Sequence, residues 1–435
     1  MFYRHVPVVC KVFTAVLVAS AFDGGHSHTL HAKISERAEL QVERHSKDAF
    51  RSSKLIRRQA SQAPPAVHAQ HAAPVDVSNS SHAYCDCPPE LTKYQCSLRL
   101  APVFVEQIAA QLRPFADVRL TPELLDAETP LGTHNSAHDF IHITIHNGNV
   151  SFYPLRDPWK PSDVASNRLY GLLGLLNVYV QSFDLTELPE VDFIYNLGDW
   201  PAVSDSDPRP IFSMTHVRHG EVDSWSGINS GHGHLDILFP SPMFCYWPEE
   251  FNNVTGMAPY WEDKDHVLFW RGSNTGYGYR HALVSLGPSI NATDLHFSAC
   301  CCGDHNETCE RYLRPWVQME EQAAHKYMVD VDGHSFSTRF KNLLATNSLV
   351  FKQKSPYKEW YYDLFEPGVH YIQLERDLSD LSQKVQWARE HDSEARSMAD
   401  LAKKAVLEHV TFDDALCYIH QLLTEYQKLV VLPQP

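Results

Sequence analysis

One glycine-containing loop in the second half of the chain has the residue types that bind phosphate groups. The loop Asp332-Gly333-His334-Ser335-Phe336-Ser337 follows a short apolar segment and leads into a predicted helix with Arg339 in its first turn. Backbone N–H groups at a helix start, hydroxyls and a fixed guanidinium suit the oxygens of a diphosphate. A plain N-capped helix, whose arginine pairs with surface carboxylates, has the same pattern. The loop alone therefore leaves both interpretations open.

A second segment ends an apolar run with Arg271-Gly272-Ser273, and Arg280 follows within reach of the same loop. The two guanidinium groups and the hydroxyl are again suited to phosphate oxygens. A strand-to-turn junction with a solvated arginine is the simpler interpretation of this segment when it is taken by itself.

A carboxylate follows a third apolar segment, Tyr195-Asn196-Leu197-Gly198-Asp199, which Trp200 and Pro201 terminate. An aspartate at the carboxyl end of a buried strand can act as a general base toward a hydroxyl group. An aspartate that only caps a turn is the commoner case. Each of the three segments is thus a weak signal when it stands alone.

Alternating apolar patterns predict the elements that would position these segments. The predicted strands cover residues 140–146, 191–197, 236–239, 267–270, 328–331, 348–352 and 369–374. The predicted helices cover residues 103–112, 167–183, 308–327, 337–344, 378–390, 393–409 and 413–429. Strands that alternate with helices indicate an α/β fold with mainly parallel sheets. Ligands bind at the carboxyl ends of such strands, where all three segments lie.

Length and charge limit the classes of function. A chain of 435 residues is too long for one hydrophobic core, so two domains are expected. The formal net charge of −16 argues against a nucleic-acid partner, because no basic surface exists to replace counterions. A pocket with two or three arginines can still bind an anionic small molecule on an acidic protein.

The N-terminal residues predict entry into the secretory pathway. An apolar run over residues 12–22 follows Lys11 and ends near Ala19-Ser20-Ala21, which fits a signal peptide cleaved after about Ala21 or an uncleaved membrane anchor. Residues 22–83 have the composition of a flexible, disordered stem. Glycosylation sequons begin at Asn79, Asn149, Asn253, Asn291 and Asn306. We expect a protein of the ER or Golgi lumen, soluble or anchored, with secretion as a further possibility.

Metal binding is the weaker interpretation of several other patterns. Asp330 and Asp332 have the spacing of a metal-binding pair, but the glycine loop beside them fits a metal-free phosphate site better. The histidine pairs His216-x-x-His219 and His232-x-His234 have no clear third ligand. The cysteines at 300–302 and Cys309 favour a local disulfide loop in an oxidising lumen. The sequence predicts no metal site.

The order and spacing of these motifs resemble glycosyltransferase family 90, which includes protein O-glucosyltransferases and fungal capsule-associated proteins. The similar segments are Phe269-Trp270-Arg271-Gly272-Ser273, Asp332-Gly333, Ser337-Thr338-Arg339-Phe340-Lys341, Ser348-Leu349-Val350-Phe351-Lys352, Glu359-Trp360-Tyr361-Tyr362-Asp363 and Val369-His370-Tyr371. The last predicted helix, with Cys417 and Tyr418, is similar to the closing helix of the family. The resemblance extends over about residues 85–430.

The resemblance implies a GT-B arrangement of two Rossmann-like domains that face a cleft. The expected boundaries are 84–255 for an acceptor-side domain, 256–410 for a UDP-sugar-binding domain and 411–435 for a closing helix that packs back on the first domain. It also implies that Cys417 pairs with one of Cys85, Cys87 and Cys96.

The resemblance assigns roles to individual residues. Asp199 matches the catalytic base of the family, although Gly198 stands where the family has an arginine. Phe239 lies where the family contacts donor or acceptor. The expected UDP-sugar contacts are Arg271, Ser273, Arg280, Gly333, His334, Ser335, Phe336, Ser337 and Arg339.

Together these features predict an inverting, metal-independent glycosyltransferase. It would move glucose or xylose from a UDP-sugar, its co-substrate, to a hydroxyl of a glycan or a protein serine, with no further cofactor. One alternative is a catalytically inactive family member that binds glycans or nucleotides, which Gly198 keeps open. A secreted metal-dependent hydrolase that uses the histidine pairs is another.

Overall fold

The computed structural model describes residues 89–118, 120, 139–155, 162–201, 210–217, 236–276, 278–300 and 307–430. Several predictions fall outside these residues: the leader and stem, the sequons at Asn79 and Asn306, and the side chains of Cys85, Cys87, Cys301, Cys302, His219, His232 and His234. Within the described part of the chain, no helix has both the length and the apolar character needed to cross a bilayer.

The first sheet has five strands in the order β2-β1-β3-β4-β6. Its strands are β1 (Phe140–His146), β2 (Asn149–Pro154), β3 (Val191–Asn196), β4 (Ile211–Ser213) and β6 (Ile237–Leu238). β1 pairs antiparallel with both β2 and β3, whereas β3–β4 and β4–β6 are parallel. The β1–β2 hairpin turns at Asn147 and Gly148, whose φ angles of 49° and 72° match the twist of antiparallel strands.

The second sheet is parallel throughout, in the order β12-β10-β9-β7-β8. Its strands are β7 (Asp265–Ser273), β8 (Thr293–Ala299), β9 (His325–Asp330), β10 (Leu349–Gln353) and β12 (Ile372–Leu374). Two short antiparallel strands, β5 (His216–Val217) and β11 (Tyr357–Lys358), connect the chain after β4 to the chain after β10.

Two sheets with helices around them confirm the predicted α/β class. The expectation of mainly parallel pairing holds for the second sheet but not for two of the four pairings in the first. A two-residue hairpin can join only antiparallel strands, and this sets the direction of β2 against β1.

The helices of the described residues precede, separate and follow the strands. They are α1 (Lys93–Arg99), α2 (Pro102–Leu112), α3 (Asp163–Ser182), α4 (Trp247–Met257), α5 (Tyr279–Leu286), α6 (Glu307–Arg311), α7 (Met319–Gln322), α8 (Phe340–Ala345), α9 (Leu381–Glu390), α10 (Asp392–His409) and α11 (Phe412–Gln427). Short 3-10 turns cover Arg113–Phe115, Pro242–Tyr246, Trp261–Asp263, Gly287–Ser289 and Tyr362–Leu364.

The single helix predicted over residues 308–327 is wrong. The chain instead forms α6, an irregular segment, α7 and the start of β9. Pro315 has no N–H group to continue a helix. Phe297 of β8 donates its N–H to Tyr312 and accepts a bond from Arg314, so the irregular segment pairs with the edge of the second sheet.

Two disulfides lie among the described residues. Cys96 of α1 pairs with Cys417 of α11, with 5.0 Å between their Cα atoms, which confirms the pairing implied by the resemblance. Cys300 pairs with Cys309 and closes the local loop that was expected there. α11 also reaches the first sheet, where the Tyr426 hydroxyl donates to the Asp192 carbonyl at 3.2 Å.

Candidate active site

Arg280 connects the loops that follow two neighbouring strands of the second sheet. Its Nη1 donates to the Ser273 carbonyl at 3.0 Å and to the Thr275 hydroxyl at 2.5 Å. Its Nε donates to the Asp332 carbonyl at 3.1 Å, and its Nη2 to the Val331 carbonyl at 3.4 Å. Because these acceptors lie at the end of β7 or directly after β7 or β9, one guanidinium fixes both strand ends.

The two loops also approach each other through their backbones. Gly276 has a φ of 100°, and a Cβ there would lie only 2.6 Å from the Gly333 carbonyl oxygen. A side chain at Gly333 would meet Nη2 of Arg280 at 3.1 Å. We call residues 273–276 and 332–339, together with Arg280, the second-sheet rim.

The Trp270 ring lies against two guanidinium groups of this rim, those of Arg280 and Arg339. The guanidinium of Arg280 lies 5.7 Å from its ring centroid and that of Arg339 lies 5.8 Å away, both within the range of a cation–π contact. Arg339 precedes α8 and donates to the Arg271 carbonyl. Burial lowers the pKa of Arg339, and the nearby Asp330 opposes this shift. Two cations therefore share one aromatic ring at the rim.

Arg271 has a different position from the other two arginines. Its two terminal nitrogens donate to Asp294 of β8 at 2.8 and 2.9 Å. Although burial opposes the shift, the hydrogen bonds from Arg271 and His296 lower the pKa of Asp294. The backbone of Arg271 contacts the rim through Arg339, while its guanidinium forms an ion pair on the neighbouring strand.

A buried ion pair supports the loop that follows β9. Asp330 accepts from Lys352 at 2.6 Å and from the Ser337 hydroxyl at 2.5 Å. Burial raises the pKa of the neighbouring Asp332 to about 7, although Lys352 opposes the shift. Across the described residues, no three His, Cys, Asp or Glu side chains are grouped so that they could hold a metal ion.

The loop that follows β3 is fixed by an amide and a guanidinium. Asn196 donates to the Trp200 carbonyl at 2.7 Å and accepts from the Gly198 N–H at 2.8 Å. Arg168 of α3 donates to the Leu197 carbonyl at 2.8 Å and forms an ion pair with Asp199. We call residues 197–201 the Asp199 loop.

Trp200 brings the Asp199 loop to the second-sheet rim. The centroid of its ring lies 5.7 Å from that of His334, with a tilt of 48° between the planes. The carboxylate of Asp199 keeps 29% of its side-chain surface exposed. Segments that are more than 100 residues apart in sequence thus meet, and the loop that carries a partly exposed carboxylate touches the rim that carries two guanidinium groups.

The other predicted contacts lie deeper in the protein. Phe239 follows β6, but its ring is fully buried and packs against Phe193, Tyr195 and Phe212 at centroid distances of 6.2, 5.7 and 5.9 Å. In the rim loop, Ser335, Phe336 and Ser337 are buried, whereas His334 is half-buried.

A model of the family described as Glycosyl transferase family 90 matches residues 96–434, most of the chain. The chain belongs to glycosyltransferase family 90. The membership confirms the resemblance read from the Arg271, Asp332 and Arg339 segments.

Two relatives illustrate the membership. Protein O-glucosyltransferase 2 of Danio rerio is 29% identical over 369 residues, which cover 80% of this chain and 67% of the relative. Protein O-glucosyltransferase 3 of Homo sapiens is 28% identical over 360 residues, which cover 79% of this chain and 65% of the relative. The chain thus spans about two thirds of the length of these relatives.

Solved structures align only distantly with this member of family 90. The crystal structure of Anabaena HepE in complex with UDP-glucose has a TM-score of 0.30 and 12% identity, and the alignment covers 42% of this chain and 53% of HepE. Membership therefore rests on the family model and not on these structures.

Arg168 is not among the site residues predicted from the sequence. This residue is the only charged residue between positions 164 and 183, a stretch that is otherwise apolar or uncharged. A lone arginine in a buried helix usually has a specific acidic or carbonyl partner, since unpaired burial of its charge is costly. This signal could have drawn attention to Arg168, but not to Asp199 as its partner.

Proposed function

We propose that this family 90 member transfers a sugar, glucose or xylose, from a UDP-sugar to a hydroxyl group of a protein serine or a glycan, with inversion and without a metal ion. The contact between Trp200 and His334 is the observation on which the proposal depends. The contact joins the loop that carries the candidate base to the cationic rim, and a displacement at a sugar carbon requires both groups near the reacting atoms.

In the proposed reaction, Asp199 accepts the proton of the acceptor hydroxyl. The hydroxyl oxygen forms a bond to the anomeric carbon while the bond from this carbon to the UDP oxygen breaks. A single displacement from the opposite side inverts the anomeric centre. The proton ends on Asp199, and the electron pair of the broken bond leaves with UDP.

The rim would bind the diphosphate and stabilise the leaving group. Arg280 and Arg339 offer fixed positive charge that needs no reorganisation as negative charge develops on UDP. Ser273 adds a hydroxyl at the end of β7. These groups supply the charge compensation that a divalent ion provides in other transferases, and for this reason we propose a metal-independent reaction.

The relatives favour one donor and one acceptor class. Both are named protein O-glucosyltransferases, so glucose and a protein hydroxyl are our first candidates, ahead of xylose and a glycan. The apolar N-terminal run, the paired cysteines and the exposed sequons at Asn149, Asn253 and Asn291 support the lumen of the secretory pathway.

The test is UDP release by the purified chain from a panel of UDP-sugars, with serine-containing peptides and glycans as acceptors and with EDTA present or absent. We expect donor-selective UDP release that survives EDTA. Tight UDP binding without turnover on any acceptor would favour a catalytically inactive, nucleotide-binding family member. The absence of both binding and turnover would contradict the role of the rim.

A further inference from the structure

Arg168 contacts the Asp199 loop at two points. One terminal nitrogen donates to the Leu197 carbonyl at 2.8 Å, and the other forms an ion pair with Oδ1 of Asp199. The guanidinium therefore fixes two parts of the Asp199 loop, the backbone at Leu197, where the loop begins, and the carboxylate of Asp199. These contacts cross 29 and 31 positions of the chain, so they depend on the tertiary structure that brings α3 to the loop after β3.

The helix gives this arginine a defined position. α3 begins at an N-cap in which the Ser162 hydroxyl accepts from the Ala165 N–H at 3.0 Å. Leu169 and Leu172, which flank Arg168 on the helix, are 3% and 0% exposed. Only 17% of the Arg168 side chain is exposed. A planar guanidinium on a packed helix can fix a carboxylate within narrow limits.

We propose that Arg168 is a positioning residue for Asp199, which fixes the carboxylate for its reaction with the acceptor hydroxyl. The ion pair uses Oδ1, and we assign Oδ2 to the acceptor proton. The inference rests on the proposed function, because a positioning role has meaning only where Asp199 acts as the base. Arg168 thus adds the helix α3 to the elements that form the site.

A purely structural ion pair is the competing explanation, and the two differ in what they predict. A structural pair would support the fold, so its loss would lower both stability and UDP affinity. A positioning pair acts on the reacting carboxylate, so its loss would lower the rate of transfer and leave UDP affinity unchanged. Misplacement of a reacting group by about 1 Å can reduce a rate by roughly 100-fold.

The experiment compares Arg168→Gln and Arg168→Lys with the wild-type chain. UDP release from UDP-glucose gives kcat and KM, calorimetry gives the Kd of UDP, and thermal unfolding gives Tm. We expect Arg168→Gln to reduce kcat by roughly 100-fold, with the KM for UDP-glucose and the Kd of UDP within about twofold of wild type. Arg168→Lys keeps the charge and should recover part of kcat.

Arg389→Gln is the matched control, because Arg389 also donates to backbone carbonyls, those of Asn291 and Ala292, at a distant surface. We expect it to leave kcat unchanged. An Arg168→Gln variant with wild-type kcat would overturn the inference alone, and so would a parallel loss of kcat, UDP affinity and Tm. A wild-type chain that neither binds UDP nor releases it from UDP-glucose would overturn the proposed function as well.

Discussion

The carboxylate that supports the second-sheet rim and the carboxylate of the Asp199 loop differ in how far they are buried. Asp330, beneath the rim, has no exposed side-chain surface and pairs with Lys352 and Ser337. Asp199 keeps 29% of its side-chain surface exposed and pairs with Arg168. A buried, fully paired carboxylate is suited to shape a loop, whereas an accessible one can exchange a proton with a substrate. The comparison separates residues that build the site from residues that would react in it.

The largest effect should come from Asp199→Asn, which removes the proposed base but keeps the size of the side chain. We expect turnover of UDP-glucose to fall by about 10³-fold, while UDP affinity stays the same because the rim is intact. UDP release measures the first quantity and calorimetry the second. Asp184→Asn, an exposed carboxylate outside both regions, is the control. Near wild-type turnover would remove Asp199 from the base role.

Loss of the Cys96–Cys417 disulfide should destabilise the fold around the first sheet. We expect the double variant Cys96→Ser, Cys417→Ser to lose about 2–5 kcal/mol of unfolding free energy, since the bond spans 321 residues. Denaturant unfolding under oxidising conditions measures the loss. The double variant Cys300→Ser, Cys309→Ser, which opens a span of 9 residues, should lose less. Equal losses would contradict this argument from chain entropy.

Arg339→Ala should weaken UDP binding, whereas Asp199→Asn should lower turnover and leave UDP binding unchanged. We expect the Kd of UDP to rise by about tenfold, which corresponds to about 1.4 kcal/mol of binding free energy. Calorimetry with UDP measures the change. Arg396→Ala is the control, because Arg396 is an exposed arginine that pairs with Glu262. An unchanged Kd would show that Arg339 does not contact the diphosphate.

The smallest effect concerns the pH dependence of the rim. Burial raises the pKa of Asp332 to about 7 in the folded protein, above its ordinary value of 3.8. The folded state therefore binds this proton more tightly, and the stability from it is lost as the pH rises through about 7. We expect Tm to fall less between pH 5 and pH 8 in Asp332→Asn than in wild type. The same dependence of Tm on pH in the variant and in wild type would contradict the raised pKa of Asp332.

The type of most elements followed from the sequence. The strand predicted over residues 140–146 has the same first and last residues as β1, because its alternating pattern and the Asn147-Gly148 turn define both boundaries locally. The helix predicted over residues 308–327 failed because Pro315 interrupts it and because β8 offers another partner to its backbone. Boundaries are reliable where the local signals agree with the tertiary contacts.

The sequence by itself determined that polar segments follow apolar strands, and this placed Ser273, Asp199 and Asp332 at strand ends. Periodicity reports which side chains are buried, and loop residues report where a strand stops. Neither signal shows which residue a given side chain will pair with. The tertiary structure decided that Arg271 pairs with Asp294 and that Arg168 pairs with Asp199, because such pairs depend on sheet order and on how a helix lies across it.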